Sequence, residues 1–190
     1  MTRTLVFGGA RSGKSALAER LAGDSGKEVV YLATAPASAH ADDSEMAARI
    51  AHHRARRPPH WRTVEEPTAL AATLCALCAP ERIVLVDCLT LWLSNLMFAP
   101  GQDYPDVGTI TLPQSFHDER AALLDWLEAP STGDVIFVSN EVGMGIVPWG
   151  AVSRAFADEA GRLNQDVAAR CERVLLVAAG LPLALKGAPC

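Results

Sequence analysis

Eight residues near the start of the chain have the types and the spacing of a phosphate-binding loop. They read Gly8-Gly9-Ala10-Arg11-Ser12-Gly13-Lys14-Ser15 and match the pattern G-x-x-x-x-G-K-[ST]. In such a loop, backbone N–H groups and the positive end of the following helix dipole surround a polyphosphate. We expect Lys14 to reach the outer phosphates and the Ser15 hydroxyl to hold Mg²⁺. The alternative is a chance glycine-rich turn.

A carboxylate at the end of a second apolar segment could complete a magnesium site. Asp87 follows the run Arg82-Ile83-Val84-Leu85-Val86, which is typical of a buried strand. In nucleotide-binding folds a carboxylate at this position holds Mg²⁺, directly or through water. Mg²⁺ prefers oxygen ligands and takes only one or two of them from protein. The alternative role for Asp87 is to cap the next helix.

The segment from Met46 to Val64 is strongly basic in an otherwise acidic chain. It contains five arginines and three of the five histidines, with no Asp or Glu, so it is expected to bind an anionic ligand. Helical spacing puts Glu45, Arg49, His52 and Arg56 on one face. Neighbouring positive charge should lower the pKa of His52 and favour neutral imidazole, which is a competent nucleophile. These features indicate group transfer through a histidine intermediate, whereas the alternative is a solvated helix face without chemistry.

Alternating strands and helices must position these groups. The strands are predicted at 4–7, 28–34, 82–87, 134–139 and 173–178, with a short last strand at 182–186. The helices are predicted at 16–22, from Asp42 to the prolines at 58 and 59, and at 67–78, 88–98, 114–128 and 149–170. Strands rich in Val, Ile and Leu between helices predict an α/β fold, with a mostly parallel sheet covered on both faces. Ligands bind beyond the carboxyl ends of such strands, where the loop, Thr34, Asp87 and Asn140-Glu141 fall.

Composition limits the possible functions. The 190 residues predict one nucleotide-binding domain over 1–190, and 49% hydrophobic with 21% charged residues is enough for a full core. The net charge of -5 and a pI of about 5.5 argue against nucleic-acid binding. We expect no membrane span and no signal peptide, because no run of about 18 apolar residues exists and the start leads directly into a strand. The five cysteines, an odd number, predict a reducing cytoplasm, and we expect the Cys75–Cys78 pair to pack rather than bind zinc.

Five motifs together resemble a known enzyme family. They are the loop at 8–15, Met46-Ala47-Ala48-Arg49-Ile50-Ala51-His52-His53-Arg54, Arg57-Pro58-Pro59-His60-Trp61-Arg62-Thr63, Ser139-Asn140-Glu141-Val142-Gly143-Met144-Gly145-Ile146-Val147-Pro148, and Ala160-Gly161-Arg162-Leu163-Asn164-Gln165. In this order they closely resemble the bifunctional adenosylcobinamide kinase / adenosylcobinamide-phosphate guanylyltransferase family of cobalamin biosynthesis. The resemblance covers essentially the whole chain and implies a RecA-like P-loop NTPase fold.

The resemblance also implies the reactions and the residues. The enzyme would phosphorylate adenosylcobinamide with ATP or GTP, and then form a GMP adduct on a histidine from GTP. Pyrophosphate would leave as the adduct forms, and passing GMP to the new phosphate would give adenosyl-GDP-cobinamide, with Mg²⁺ as cofactor. The nucleophile of the family falls on His52. Its nucleotide contacts fall on Gly8 to Ser15, on Thr34, Ala35 and Pro36, on His53, Arg54, Ala55 and Arg56, on Glu65, and on Asp87, where some members carry Glu. Family members are homo-oligomers, often trimers.

Two other functions and two residue roles stay open at this point. A small-molecule kinase or NTPase would move only the outermost phosphate, and a nucleotide-dependent switch would bind GTP or GDP without turnover on cobinamide. Asn140 and Glu141 either position substrate or metal, or make buried structural hydrogen bonds. Trp61 either stacks on a base or packs against the protein.

Overall fold

The computed structural model describes residues 2–35, 57–99, 101–130 and 132–188. The strands in these ranges are β1 (Arg3–Gly8), β2 (Glu28–Ala33), β3 (Arg62–Glu65), β4 (Arg82–Asp87), β5 (Asp134–Asn140), β6 (Arg173–Ala178) and β7 (Leu181–Lys186). The helices are α1 (Lys14–Gly23), α2 (Leu70–Leu77), α3 (Leu89–Met97), α4 (Gln114–Glu128) and α5 (Ala151–Arg170). No helix within these ranges is both long and apolar enough to cross a bilayer.

The strands form one sheet in the order β3-β2-β4-β5-β1-β6-β7. All neighbouring pairs are parallel except β6 and β7, which pair antiparallel. The expectation of a mostly parallel sheet is therefore confirmed. Because parallel strands share one direction, the carboxyl ends of β1, β2, β4 and β5 lie along one edge of the sheet, its C-terminal edge. The phosphate-binding loop follows the end of β1 there.

Both faces of the central strands are buried, as their apolar residues predict, whereas the edge strands β3 and β7 are mostly exposed. Successive residues of a strand point to opposite faces, and Leu5 and Val6 accordingly belong to two separate cores. The larger core lies under α2, α3, α4 and α5 and includes Leu93 and Leu163. The smaller core lies under α1 and includes Leu17. The sheet thus holds α1, and with it the loop, on the face opposite the other described helices.

The edge strand β3 was not predicted from the sequence. Its residues Arg62–Glu65 are mostly exposed and lack the apolar pattern of a buried strand, and among the described strands β2 is the one with which they pair. The helix after it was expected from Pro67 but begins at Leu70, because the Glu66 carboxylate accepts hydrogen bonds from the backbone N–H groups of Thr68 and Ala69. The helix predicted from Asp42 lies outside the described residues.

Candidate active site

The phosphate-binding loop adopts a tight turn that leaves its first half open. Arg11 has φ of 57° and Gly13 has φ of 98°, a left-handed conformation that glycine adopts without steric cost. Gly9 is exposed, and a Cβ added there would meet nothing within 4 Å. The loop therefore presents exposed backbone directly before α1, where a helix N-terminus attracts anions.

Lys14 is the buried cation of this site. It is the first residue of α1, is only 8% exposed, and donates from Nζ to the carbonyl oxygen of Gly9 at 3.1 Å. Burial lowers the pKa of Lys14, and the negative charge of Asp87 acts in the opposite direction. Burial disfavours the positive charge of an ammonium group. A negatively charged ligand nearby offsets this cost, so the site favours an anion.

The turn between β6 and β7 packs against the phosphate-binding loop. The two-residue connection Ala179-Gly180 between β6 and β7 has φ of 52° and 79°, and the N–H of Gly180 donates to the carbonyl oxygen of Ser12 at 2.8 Å. A Cβ at Gly8 would lie 2.3 Å from the carbonyl oxygen of Val177, and one at Gly13 would lie 3.1 Å from Cα of Gly180. Both glycines of the motif are thus required by the close packing of the loop against this hairpin.

Asp87 ends β4 at the same edge of the sheet, directly beside Ala33 of β2. Its Oδ2 accepts a hydrogen bond of 2.7 Å from the hydroxyl of Tyr31. Tyr31 is 2% exposed, and burial together with the charge of Asp87 raises the pKa of its phenol, so the hydroxyl stays a donor. The Asp87 carboxylate is therefore held in a defined orientation on the edge where the loop lies.

Thr34 joins the ends of β2 and β4. Its hydroxyl donates to the carbonyl oxygen of Cys88 at 2.8 Å and accepts from the N–H of Cys88 at 2.9 Å. Its own N–H donates to the carbonyl oxygen of Asp87, and its carbonyl oxygen accepts from Nδ2 of Asn95 at 2.7 Å. Thr34 thus fixes the backbone around Asp87, while its contact with a nucleotide stays a prediction.

The structure gives Asn140 a structural hydrogen-bonding role. Its backbone N–H and its Nδ2 both donate to Oγ1 of Thr90, at 2.8 and 2.9 Å. Its carbonyl oxygen accepts from Nδ2 of Asn164, whose Oδ1 accepts from the buried hydroxyl of Ser139 at 2.6 Å. The backbone N–H of Glu141 donates to the carbonyl oxygen of Gly8 at 3.0 Å. The end of β5 is thereby tied to α3, to α5 and to the start of the phosphate-binding loop.

The basic segment is described only from Arg57 onward. Pro36, His52, His53, Arg54, Ala55 and Arg56 lie outside the described residues. The Arg57 guanidinium stacks over the ring of Tyr31, 3.3 Å from its centroid. Arg57 therefore contacts the same tyrosine that binds Asp87. Glu65 ends β3 beside Ala33 and is exposed. Trp61 is 8% exposed and belongs to the smaller core, so it packs against the protein.

The residues that could hold Mg²⁺ have suitable chemistry. The Ser15 hydroxyl in the first turn of α1 and the Asp87 carboxylate are hard oxygen donors, the kind that Mg²⁺ prefers. Among the residues that the structure covers, no group of three or more His, Cys, Asp or Glu could form a metal cage. A small protein donor set fits an ion that takes its remaining ligands from phosphate and water.

Sequence reasoning missed several residues that build this site. Tyr31 had a detectable signal, because it is the one polar-tipped side chain in the apolar part of β2. Thr90, Asn95 and the turn at Ala179-Gly180 had none. Their partners are distant in sequence, and only the fold brings them together.

Comparison with known proteins identifies the family to which this architecture belongs. A family model described as "Cobinamide kinase / cobinamide phosphate guanyltransferase" matches residues 4–185. The chain belongs to this family. The resemblance inferred from the five motifs is thereby confirmed, as is the assignment to an enzyme family of kinases and guanylyltransferases.

Individual members of the cobinamide kinase / cobinamide phosphate guanyltransferase family match over almost their full length. The bifunctional adenosylcobalamin biosynthesis protein CobP of Pseudomonas aeruginosa is 55% identical over 188 residues, covering 98% of this chain and 99% of the relative. The bifunctional adenosylcobalamin biosynthesis protein CobU of Escherichia coli is 44% identical over 184 residues, covering 96% and 98%.

Solved structures extend the comparison to the fold. An ATPase from the type III secretion system of pathogenic bacteria superposes with a TM-score of 0.56 at 15% identity, covering 96% of this chain and 56% of the ATPase. The ATPase EscN from enteropathogenic E. coli gives a TM-score of 0.54 at 16% identity, covering 94% and 43%. This member of the cobinamide kinase / cobinamide phosphate guanyltransferase family therefore has the fold of P-loop NTPases, as the phosphate-binding loop at 8–15 predicts.

Proposed function

We propose that this protein catalyses two consecutive steps of cobalamin biosynthesis. It phosphorylates adenosylcobinamide with ATP or GTP, and it then transfers GMP from GTP to adenosylcobinamide phosphate, giving adenosyl-GDP-cobinamide and pyrophosphate. The observation that carries the proposal is the family match over residues 4–185 of a chain whose phosphate-binding loop holds a buried Lys14. The substrates named here are those of the family.

The phosphate-binding loop is the seat of the nucleotide in both steps. Backbone N–H groups of residues 8–15 and the N-terminus of α1 surround the phosphates, and Lys14 exchanges its bond to Gly9 for the outer phosphate oxygens. Ser15 and Asp87 hold Mg²⁺, which when bound neutralises charge on the phosphate oxygens. In-line displacement at phosphorus depends mainly on positioning and charge neutralisation, so this one seat serves both steps.

His52 is the nucleophile of the second step. Its imidazole nitrogen forms a bond to the α-phosphorus of GTP while the bond from that phosphorus to the pyrophosphate oxygen breaks. A phosphate oxygen of adenosylcobinamide phosphate then bonds to the same phosphorus, the N–P bond breaks, and His52 is regenerated. The histidine keeps GMP activated after pyrophosphate leaves. Arg57, five residues beyond His52 in the sequence, stacks on Tyr31 beside Asp87, which supports an approach of the basic segment to the nucleotide.

The remaining nucleotide contacts are assigned by family membership. They are Thr34, Ala35 and Pro36 after β2, His53, Arg54, Ala55 and Arg56 after the nucleophile, and Glu65 at the end of β3. In the structure β2 lies between β3 and β4, and Glu65 and Asp87 both lie beside Ala33. Residues 33, 65 and 87 thus form one row at the edge of the sheet, which supports a shared ligand.

We also propose that the protein acts as a cytoplasmic homo-oligomer, a trimer as in its family. After β5 an apolar segment lies open to solvent, with Ile146 98%, Trp149 91%, Met144 78% and Val147 75% exposed. So much exposed apolar surface in one segment is typical of a protein–protein contact. Light scattering on the purified protein should give three times the 20.2 kDa chain mass, and Ile146→Asp together with Trp149→Asp should shift it towards the monomer.

Mass spectrometry of the protein after incubation with GTP tests the chemistry. A GMP adduct should appear on the peptide containing His52, together with free pyrophosphate. His52→Ala should abolish both while sparing most phosphorylation of adenosylcobinamide. His60→Ala is the matched control, because it removes an exposed histidine of the same basic segment and should leave the adduct unchanged.

Three results would contradict this proposal in different ways. An adduct that persists in His52→Ala would rule out His52 as the nucleophile. Release of phosphate but no pyrophosphate from GTP would indicate a kinase without guanylyl transfer. Tight GTP binding without turnover on cobinamide would indicate a nucleotide-dependent switch.

A further inference from the structure

Tyr31 contacts two chemically different parts of the site at once. It lies on β2 with 2% of its surface exposed. At its tip, the hydroxyl donates to Oδ2 of Asp87 at 2.7 Å. Over its face, the guanidinium of Arg57 stacks 3.3 Å from the ring centroid. One buried side chain therefore connects the proposed magnesium-holding carboxylate to the basic segment.

We propose that Tyr31 is a positioning residue that sets the orientation of Asp87 and holds Arg57 of the basic segment beside it. This inference rests on the proposed function and adds a residue to it. Through Asp87, Tyr31 would affect both reactions. Through Arg57, it would affect only guanylyl transfer.

The bond to Asp87 restricts the rotation of the carboxylate. A terminal carboxylate torsion is broad, so the main chain alone does not determine where its oxygens point. A hydrogen bond to a charged acceptor is among the stronger ones in proteins, and this one comes from a ring that packs in the smaller core with Leu17 and Leu85. The orientation of the Asp87 carboxylate is thereby set from inside the protein.

The charges around Tyr31 keep its hydroxyl a donor. Burial and the negative charge of Asp87 both raise the pKa of the phenol, and Glu19 of α1 adds to the increase, whereas Arg57 lowers it. The net shift is upward, so the phenol keeps its proton.

The stacking of Arg57 restricts the other partner. A cation over an aromatic face is attracted by the ring quadrupole, and more strongly where water is excluded. Arg57 belongs to the basic segment, so this stacking holds one residue of that segment beside Asp87. A ring without a hydroxyl keeps this contact, and an aliphatic side chain loses it.

The two tyrosines of the chain provide a matched pair of variants. Tyr31→Phe removes the hydroxyl that binds Asp87 and keeps the ring under Arg57. Tyr104→Phe removes the hydroxyl that donates to the carbonyl oxygen of Met97 at 2.6 Å, a bond of similar length at the end of α3. Unfolding temperatures of both variants report whether either one alters the fold.

The first measurement is nucleotide binding without turnover. The probe is a GTP analogue with a methylene group in place of the α,β-bridging oxygen, titrated by calorimetry with and without Mg²⁺. We expect Tyr31→Phe to reduce the Mg²⁺-dependent gain in affinity by roughly tenfold, the low end for a hydrogen bond to a charged group, and Tyr104→Phe to leave it unchanged. An unchanged gain in Tyr31→Phe would overturn the link to Asp87.

The second measurement compares Tyr31→Leu with Tyr31→Phe. Phosphorylation of adenosylcobinamide should be equally slow in both, because both lack the hydroxyl. Formation of the GMP adduct should be slower in Tyr31→Leu than in Tyr31→Phe, because only the leucine variant loses the aromatic ring that Arg57 stacks on. Equal rates of adduct formation in the two variants would disprove the role of Tyr31 towards Arg57. If the wild-type protein forms no adduct, the proposed guanylyl transfer fails, and the calorimetric result still decides the role of Tyr31 at Asp87.

Discussion

The backbone N–H of Gly180 donates a hydrogen bond of 2.8 Å to the carbonyl oxygen of Ser12. This bond joins the turn between the last two strands to the phosphate-binding loop near the start of the chain. Because Gly8 and Gly13 also lie in close contact with this hairpin, the loop backbone cannot move without moving the turn. The hairpin is therefore part of the structure that shapes the nucleotide seat.

Substitution of Gly180 by alanine should weaken nucleotide binding. Gly180 has φ of 79°, where an L-residue is strained by about 1–2 kcal/mol, and the turn can relieve that strain by shifting away from Ser12. We expect the affinity for ATP and GTP, measured by calorimetry, to fall several-fold.

Gly26→Ala is the matched control for this experiment. Gly26 has a similar φ of 70°, and a Cβ at either position would meet nothing within 4 Å, so the two variants should lose similar stability. Gly26 lies in the turn between α1 and β2, and its substitution should leave affinity unchanged. Equal affinities in the two variants would show that the turn does not shape the loop.

Lys14→Met should abolish both reactions without lowering stability. The methionine keeps an apolar stem of similar length and removes an ammonium group whose burial lowers its pKa, so unfolding should occur at an equal or higher temperature. Loss of the charged contacts to phosphate should reduce nucleotide affinity by roughly two orders of magnitude. Activity assays of the two steps together with thermal unfolding test this. A variant that keeps guanylyl transfer would exclude a shared seat.

Thr90→Val should destabilise the protein because Asn140 loses the acceptor of two hydrogen bonds. In the wild-type protein, the backbone N–H and Nδ2 of Asn140 both donate to Oγ1 of Thr90. Valine has nearly the same shape as threonine but no oxygen to accept these bonds. Leaving partly buried donors without an acceptor should cost about 2 kcal/mol, measured by urea unfolding. Thr73→Val, the same change on α2, is the control, and an equal loss in both variants would show that this hydrogen-bond network does not matter.

Asp134 should make stability depend on acid pH. Burial disfavours its charge, but hydrogen bonds from Lys27 and from the N–H of Thr2, at 2.8 and 2.7 Å, outweigh this and lower the pKa of Asp134. Because the folded-state pKa lies below the unfolded one, the stabilisation is complete well above about pH 4 and is lost as the pH falls through the folded value.

The variant Asp134→Asn checks this dependence. It should lower the free energy of unfolding by about 1 kcal/mol at pH 7, and the difference from the wild-type protein should shrink towards pH 3. Asp125→Asn, which removes an exposed carboxylate of α4, gives the baseline for the change in net charge. A difference that stays constant from pH 7 to pH 3 would contradict the assignment to Asp134.

The parts of the site that were predictable are those with local signals. The phosphate-binding loop and Asp87 follow from short patterns at the ends of apolar strands, and the parallel sheet follows from strands that are apolar on both faces. The edge strand β3 was missed because Arg62 and Thr63 are exposed and carry no burial pattern. The hydrogen bonds of Thr34 to Cys88 and of Gly180 to Ser12 could not be predicted, because strand order, not local sequence, brings these residues together.

The order of the strands has a consequence for how the protein is made. The first strand, β1, lies between β5 and β6, so a ribosome has to pass residue 178, the end of β6, before β1 can pair with both neighbours. Pairing between residues so far apart closes slowly, and until then the apolar β1 lies exposed. A nascent chain that stops before residue 173 lacks the strand and the turn behind the loop, so the phosphate-binding loop gains this support only after residue 180 has been added.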